Sequence, residues 1–95
     1  MKNSLENSKM IIITAMRYLF YKNNMNFNDI LEENTYFQEF IKKIDYCDNL
    51  ETVKNIINEY QEEDLKEILK SKEFYQYLKT MKFTDEDLKV LEKLI

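Results

Sequence analysis

The side chains best able to do chemistry in this 95-residue chain are its carboxylates. Eighteen Asp and Glu stand against fourteen Lys and Arg, a net charge of −4. The densest acidic runs are Glu62-Glu63-Asp64 and Asp85-Glu86-Asp87. Two carboxylates flanking a cleft do acid–base work when their surroundings hold their proton affinities apart. Glu59, Glu62 and Glu63 share a face if their helix is continuous. They come nearest to such a pair, or to an oxygen-ligated cation site. Their spacing matches no ligand motif, so neither catalysis nor metal binding is expected of them.

The composition excludes more. With no His, the chain lacks the commonest general base and metal ligand, and no Ser-His-Asp or Cys-His arrangement exists within it. The one cysteine, Cys47, forms neither an intrachain disulfide nor a thiolate zinc site. It lies between Asp45 and Asp48, and a reactive thiol needs basic neighbours instead. With no Gly, phosphate-cradling loops of the P-loop or dinucleotide type are out of reach. The expectation is therefore a protein that is not an enzyme and carries no cofactor and no metal.

What remains is surface recognition. Residues 1–47 are charge-balanced, and residues 48–95 carry the whole excess of acid. Glu62, Glu63, Asp64, Asp85, Glu86 and Asp87 offer a surface that mimics nucleic-acid phosphates and fills a basic groove on a partner. Both runs also fall at expected helix starts, where acids complement the positive end of the helix dipole. Thirteen aromatics exceed the needs of so small a core. Phe20, Phe37, Phe40 and Phe74 read as core, whereas Tyr21, Tyr36 and Tyr75 fall off the apolar faces. Exposed Tyr is a common anchor at protein interfaces. Lys2, Lys9, Arg17 and Lys22 near the first helix, with Lys42-Lys43, make a weak case for direct nucleic-acid binding. An acidic chain with a single Arg is poor material for phosphate or base contacts.

The elements that hold these residues read as helices throughout. With no Gly or Pro, turns fall to Lys22-Asn23-Asn24, Asp45 to Asn49 and Phe83 to Asp85. A first helix spans about Ser4 to Lys22, with Asn3 and Glu6 at capping-box spacing. Its broad apolar face suits a central helix. Its β-branched run Ile11-Ile12-Ile13-Thr14 has no partner strand elsewhere. A short helix covers Asn28 to Glu33. Thr35 and Gln38 box the next, which carries Phe37, Phe40, Ile41 and Ile44. Asp48 with Glu51 opens a helix bearing Leu50, Val53, Ile57 and Tyr60. Leu65, Ile68 and Leu69 form a short apolar face. Ser71 caps a helix with Phe74, Tyr77, Leu78 and Met81, and Thr84 caps the last, with Leu88, Leu91, Leu94 and Ile95.

The chain also repeats itself at 37–38 residues. Phe37 aligns with Phe74, Phe40 with Tyr77, Ile41 with Leu78 and Ile44 with Met81. Tyr46 aligns with Phe83, Asp48 with Asp85, Leu50 with Leu88 and Ile57 with Ile95. Each unit is a short helix, a capped helix, a tight turn and a capped helix. Such a unit cannot bury its apolar face alone.

The expected fold is all-α, a compact bundle of five to seven short helices with a tandem helical duplication in residues 30–95. It forms one domain, 1–95, divided into an N-terminal helix and turn (1–27), a first unit (28–64) and a second unit (65–95). The expected function is protein binding in the cytoplasm. Thirteen Lys, ten Asn and ten Ile mark an AT-rich genome. This points to a phage- or mobile-element-encoded inhibitor that occludes a host nucleic-acid-processing defence enzyme, in the manner of an anti-CRISPR protein. The alternatives are a toxin immunity or antitoxin protein, a homo-oligomeric structural module, and a helix-turn-helix DNA-binding regulator. No membrane partner is expected.

Overall fold

The computed structural model describes residues 4–60 and 63–94, and among these there is no strand. The chain is an all-α bundle: α1 (Ser4–Lys22), α2 (Phe27–Glu33), α3 (Thr35–Asp45), α4 (Leu50–Glu59), α5 (Glu63–Lys70), α6 (Lys72–Thr80), α7 (Asp85–Leu88) and α8 (Val90–Leu94). Only Lys89 parts the last two, which together make a seventh helical body.

The first helix is the centre. Its 19 residues rise about 28 Å, close to the second dimension of a molecule measuring 35 × 28 × 23 Å. It touches each of the other seven helices. Asn7, Ser8, Ile11, Ile12, Ala15, Met16 and Phe20 are buried along it, a stripe too wide for a helix at the edge. Ser8 and Ala15 are small and wholly buried, so neighbours approach closely. The Ser8 hydroxyl satisfies itself by donating to the carbonyl of Leu5 at 2.7 Å.

The helix ends are made by side chains. Asn26, Asn34, Asn49, Ser71 and Thr84 cap α2, α3, α4, α6 and α7. Two caps differ from the sequence expectation by one residue: Asn34 stands before Thr35, and Asn49 after Asp48. Asn34 and Asn49 take the extended backbone that a cap requires and receive the free N–H groups of the first turn. Gln38, freed from boxing Thr35, donates instead to the carbonyls of Leu31 and Glu32 at the end of α2. The Asn3 cap lies outside the described residues.

Helices α1 and α6 end without glycine in the same way. After α1, Asn24 has φ 57° and its N–H donates to Tyr21, while the N–H of Met25 donates to Phe20. After α6, Lys82 has φ 70° and its N–H donates to Lys79, while the N–H of Phe83 donates to Leu78. This is the Schellman pattern, whose left-handed residue is usually Gly. Phe83 and Leu78 are both buried, which supplies the apolar contact that accompanies it.

The element order of α2–α3–α4 recurs in α5–α6–α7/α8, but burial follows a different phase. Helix α3 buries Phe40 and Ile44, whereas α6 buries Phe74 and Leu78, one turn nearer its cap. The aligned residues therefore part company. Tyr77 and Met81 are exposed where Phe40 and Ile44 are buried, and Tyr46 is 84% exposed where Phe83 is 9% exposed. Phe37 is half-buried, its ring edge-on to that of Phe20, and Phe27 also packs against the Phe20 ring.

Lys in the left-handed region carries a Cβ penalty that Asn tolerates better. Lys82→Gly should therefore raise stability by about 0.5–1 kcal/mol, net of the added freedom of the unfolded chain. Asn24→Gly should change it by less. Thermal or urea unfolding of the two variants checks this, and a destabilised Lys82→Gly would show that the turn is not strained.

Candidate functional site

The tyrosines explain the rim of the molecule. Three of them take part in one recurring arrangement: a tyrosine ring, a lysine above it and a carboxylate bound to that lysine. Lys22 lies 5.5 Å from the Tyr18 ring centre and 3.3 Å from Glu73, which also accepts from the Tyr18 hydroxyl at 3.5 Å. This clasp joins α1 to α6. Lys43 lies 5.2 Å from the Tyr60 ring centre and 3.1 Å from Glu59, joining α3 to α4. Lys79 lies 5.7 Å from the Tyr75 ring centre and 2.8 Å from Asp85, which also accepts from the Tyr75 hydroxyl at 3.2 Å. This third clasp joins α6 to α7.

The clasps shift proton affinities in the direction that their chemistry demands. The Glu59 hydrogen bond, then Tyr60, raises the Lys43 pKa. The Asp85 hydrogen bond raises that of Lys79. Asp85 is held below the usual carboxylate range, first by the Lys79 hydrogen bond and then by that of Tyr75. All three pairs are solvent-exposed and individually weak.

The expected partner-binding residues divide accordingly. Tyr36 is exposed, but its hydroxyl donates to the Tyr60 carbonyl at 2.9 Å and its ring meets the Tyr60 ring edge-on at 5.0 Å. Tyr75 is half-buried within its clasp. Tyr21 is 77% exposed and stands out into solvent. Asp85 belongs to a clasp. Asp87 forms the capping box with Thr84: its carboxylate accepts from the Thr84 N–H at 3.0 Å, and the Thr84 hydroxyl accepts from the Asp87 N–H at 3.1 Å. It also accepts from the buried Asn7 amide at 3.1 Å, tying α7 to the start of α1. Glu86 and Asp64 are exposed in the first turns of α7 and α5. Glu62 and the side chain of Glu63 lie outside the described residues.

Asp64 and Asp85, one from each acidic run, line different clefts, and Ser71 lines both. The larger, of about 460 Å³, lies between the C-terminal turns of α1 and the α5 face: Tyr18, Leu19, Lys22 and Asn23 on one side, Asp64, Glu67 and Ile68 on the other. Asp64 and Glu67 are three residues apart and so share that face. Neither takes part in an ion pair among the described residues, and the lysine beside them is already bound to Glu73. Glu67 was not among the residues singled out from sequence, because it stands outside the acidic run. Its signal was the i, i+3 spacing from Asp64. The second cleft carries Asp85 and Glu92 with Lys70, Lys72 and Lys89, a mixed charge set. Cys47 is buried, and its thiol donates to the Lys43 carbonyl. Glu59, one of the three carboxylates weighed for metal binding, is held by Lys43. Among the described residues no three acidic or sulfur side chains converge on one point.

The pH dependence of stability follows from the third clasp. Asp85 is depressed in the folded state, so its contribution is present above the ordinary carboxylate range and is lost as pH falls through the lowered folded value. Lys79 and Lys43 are raised, so their contributions are present below the usual lysine value and are lost as pH rises through the raised one. Asp85→Asn should lower the melting temperature at neutral pH and converge on the parent as pH falls through the lowered Asp85 value. A difference that persists at low pH would show that the charge of Asp85 is not the cause. No family model, curated protein or solved structure matches this chain.

Proposed function

We propose that this chain is a protein-binding module that engages a basic surface of its partner through the cleft between α1 and α5. The observation that carries this is the Asp64–Glu67 pair, two carboxylates on one helix face of an open cleft that take part in no ion pair among the described residues. Ion pairs hold Glu59, Glu73 and Asp85 to lysines, whereas Asp64 and Glu67 line their cleft without one among the described residues. A guanidinium or ammonium group from a partner completes the unmatched pair. The net charge of −4 adds steering toward a basic target.

The concrete form of this reading is an inhibitor that occupies the basic groove of a nucleic-acid-processing enzyme. Tyr21, exposed one residue before Lys22 of the cleft, extends the contact surface. Asp85 and Asp87 serve the fold first, so they are poor choices for testing the interface.

Capture of partners from source-cell lysate, with and without nuclease, gives the binding target. Asp64→Lys with Glu67→Lys should then weaken the partner at least about tenfold, the scale of losing charge-assisted hydrogen bonds. Asp64→Asn with Glu67→Gln should weaken it less, and added salt should weaken the parent. Undiminished binding by both double variants would sink the acidic-cleft mechanism. Recovery only without nuclease would show that the contact runs through nucleic acid.

A further inference from the structure

A different cleft carries the opposite charge. Helix α4 sets Lys54 and Asn58 one turn apart on one face, and α5 sets Lys66 and Lys70 one turn apart on its own. The two faces meet across a cavity of about 190 Å³ floored by the buried Leu69 and Leu94. No carboxylate among the described residues lines it. Lys54, Lys66 and Lys70 form no ion pair among those residues, in contrast to Lys22, Lys43 and Lys79.

This convergence runs against the rest of the chain. Acids outnumber bases by 12 to 8 in residues 48–95, yet the described lining of this cleft carries three lysines and no acid, Lys70 standing between it and the mixed-charge cleft of Asp85 and Glu92. Two like charges at i, i+4 also cost helix stability. The dipole of α5 accounts for Lys70 in its last turn, but not for Lys54 in the middle of α4. Lys66 is half-buried and lines the cleft, whereas Lys54 and Lys70 are exposed at its edge.

The geometry points to a phosphate-binding cleft that takes the phosphoryl group of a small phosphorylated molecule. Three ammonium groups match the charge of about −1.5 to −2 that a phosphomonoester carries at neutral pH. The Asn58 amide supplies a neutral donor. The cavity is smaller than the roughly 300 Å³ at which whole-ligand pockets begin, so it holds the phosphoryl group and its first carbons. Leu69 and Leu94 give those carbons an apolar seat. This site is independent of the acidic cleft, and either can fail alone.

The test is an amide-detected NMR titration of the full chain at constant ionic strength, with inorganic phosphate and with ribose 5-phosphate as probes. Saturable shifts at Asn58, Lys66 and Leu69 are expected. Lys66→Met keeps the aliphatic stem, removes the charge, and should weaken binding about tenfold without lowering the melting temperature. Lys42→Met, on an exposed face of α3, should leave binding unchanged. Tighter binding of the sugar phosphate identifies an esterified phosphate as the ligand, and equal binding identifies free phosphate. Non-saturating shifts spread over the surface lysines, or binding indifferent to Lys66→Met, would overturn the proposal.

Discussion

Everything in this molecule depends on the burial of α1. The other helices are short, at most 11 residues, and such helices are marginal in isolation. Helices α3 to α6 are amphipathic, and the surface that their apolar faces need is supplied in part by α1. Ile11, Ile12 and Ala15 are fully buried on it, and Phe40, Val53, Leu65, Phe74 and Leu94 join the same continuous core. Ala15 is fully buried, so a Leu there would push its neighbours outward, and close-packed cores tolerate little of that. One polar contact also serves this arrangement. Asn7 donates to Asp87 across almost the whole sequence, although its own buried Oδ1 has no hydrogen-bond partner among the described residues.

Around this rod the charge is sorted. The tyrosine–lysine–carboxylate clasps fasten neighbouring helices at the rim and use up matched charges as they do so. On α5, Asp64 with Glu67 line the cleft toward α1 and Lys66 with Lys70 line the cleft toward α4, none of the four in an ion pair among the described residues. One short helix thus presents opposite charge to two clefts. A side chain every 100° around a helix allows this, and a strand would not space it so. The functional proposals rest on that segregation, because matched surface charge has little left to offer a ligand.

Much of the fold was legible in the sequence because helix signals are local. The span of α1, the caps at Ser71 and Thr84 and the turns at Asn23–Asn24 and Phe83 all follow from residues within one turn of each other. The one-residue shifts at Asn34 and Asn49 arose where two capping residues stand side by side, and backbone conformation chooses between them. The burial phase of the second unit was not legible. Tyr77 and Met81 occupy positions equivalent to Phe40 and Ile44, but each unit meets α1 from its own side, which no residue-by-residue alignment expresses. The clasps of Tyr18 and Tyr75 and the hydrogen bond of Tyr36 depend on partners 10 to 55 residues away. The lysine cleft joins two i, i+4 pairs from separate helices, and in sequence each pair is an ordinary solvated face.

Native-state hydrogen exchange tests the central claim most directly, namely that both helical units depend on α1 for their core. Amides of α3 and α4 in the first unit, of α6 in the second, and of the middle of α1 should exchange through one opening with a common free energy. If the first or second unit retains protection after α1 has opened, it carries a core of its own and the account is wrong.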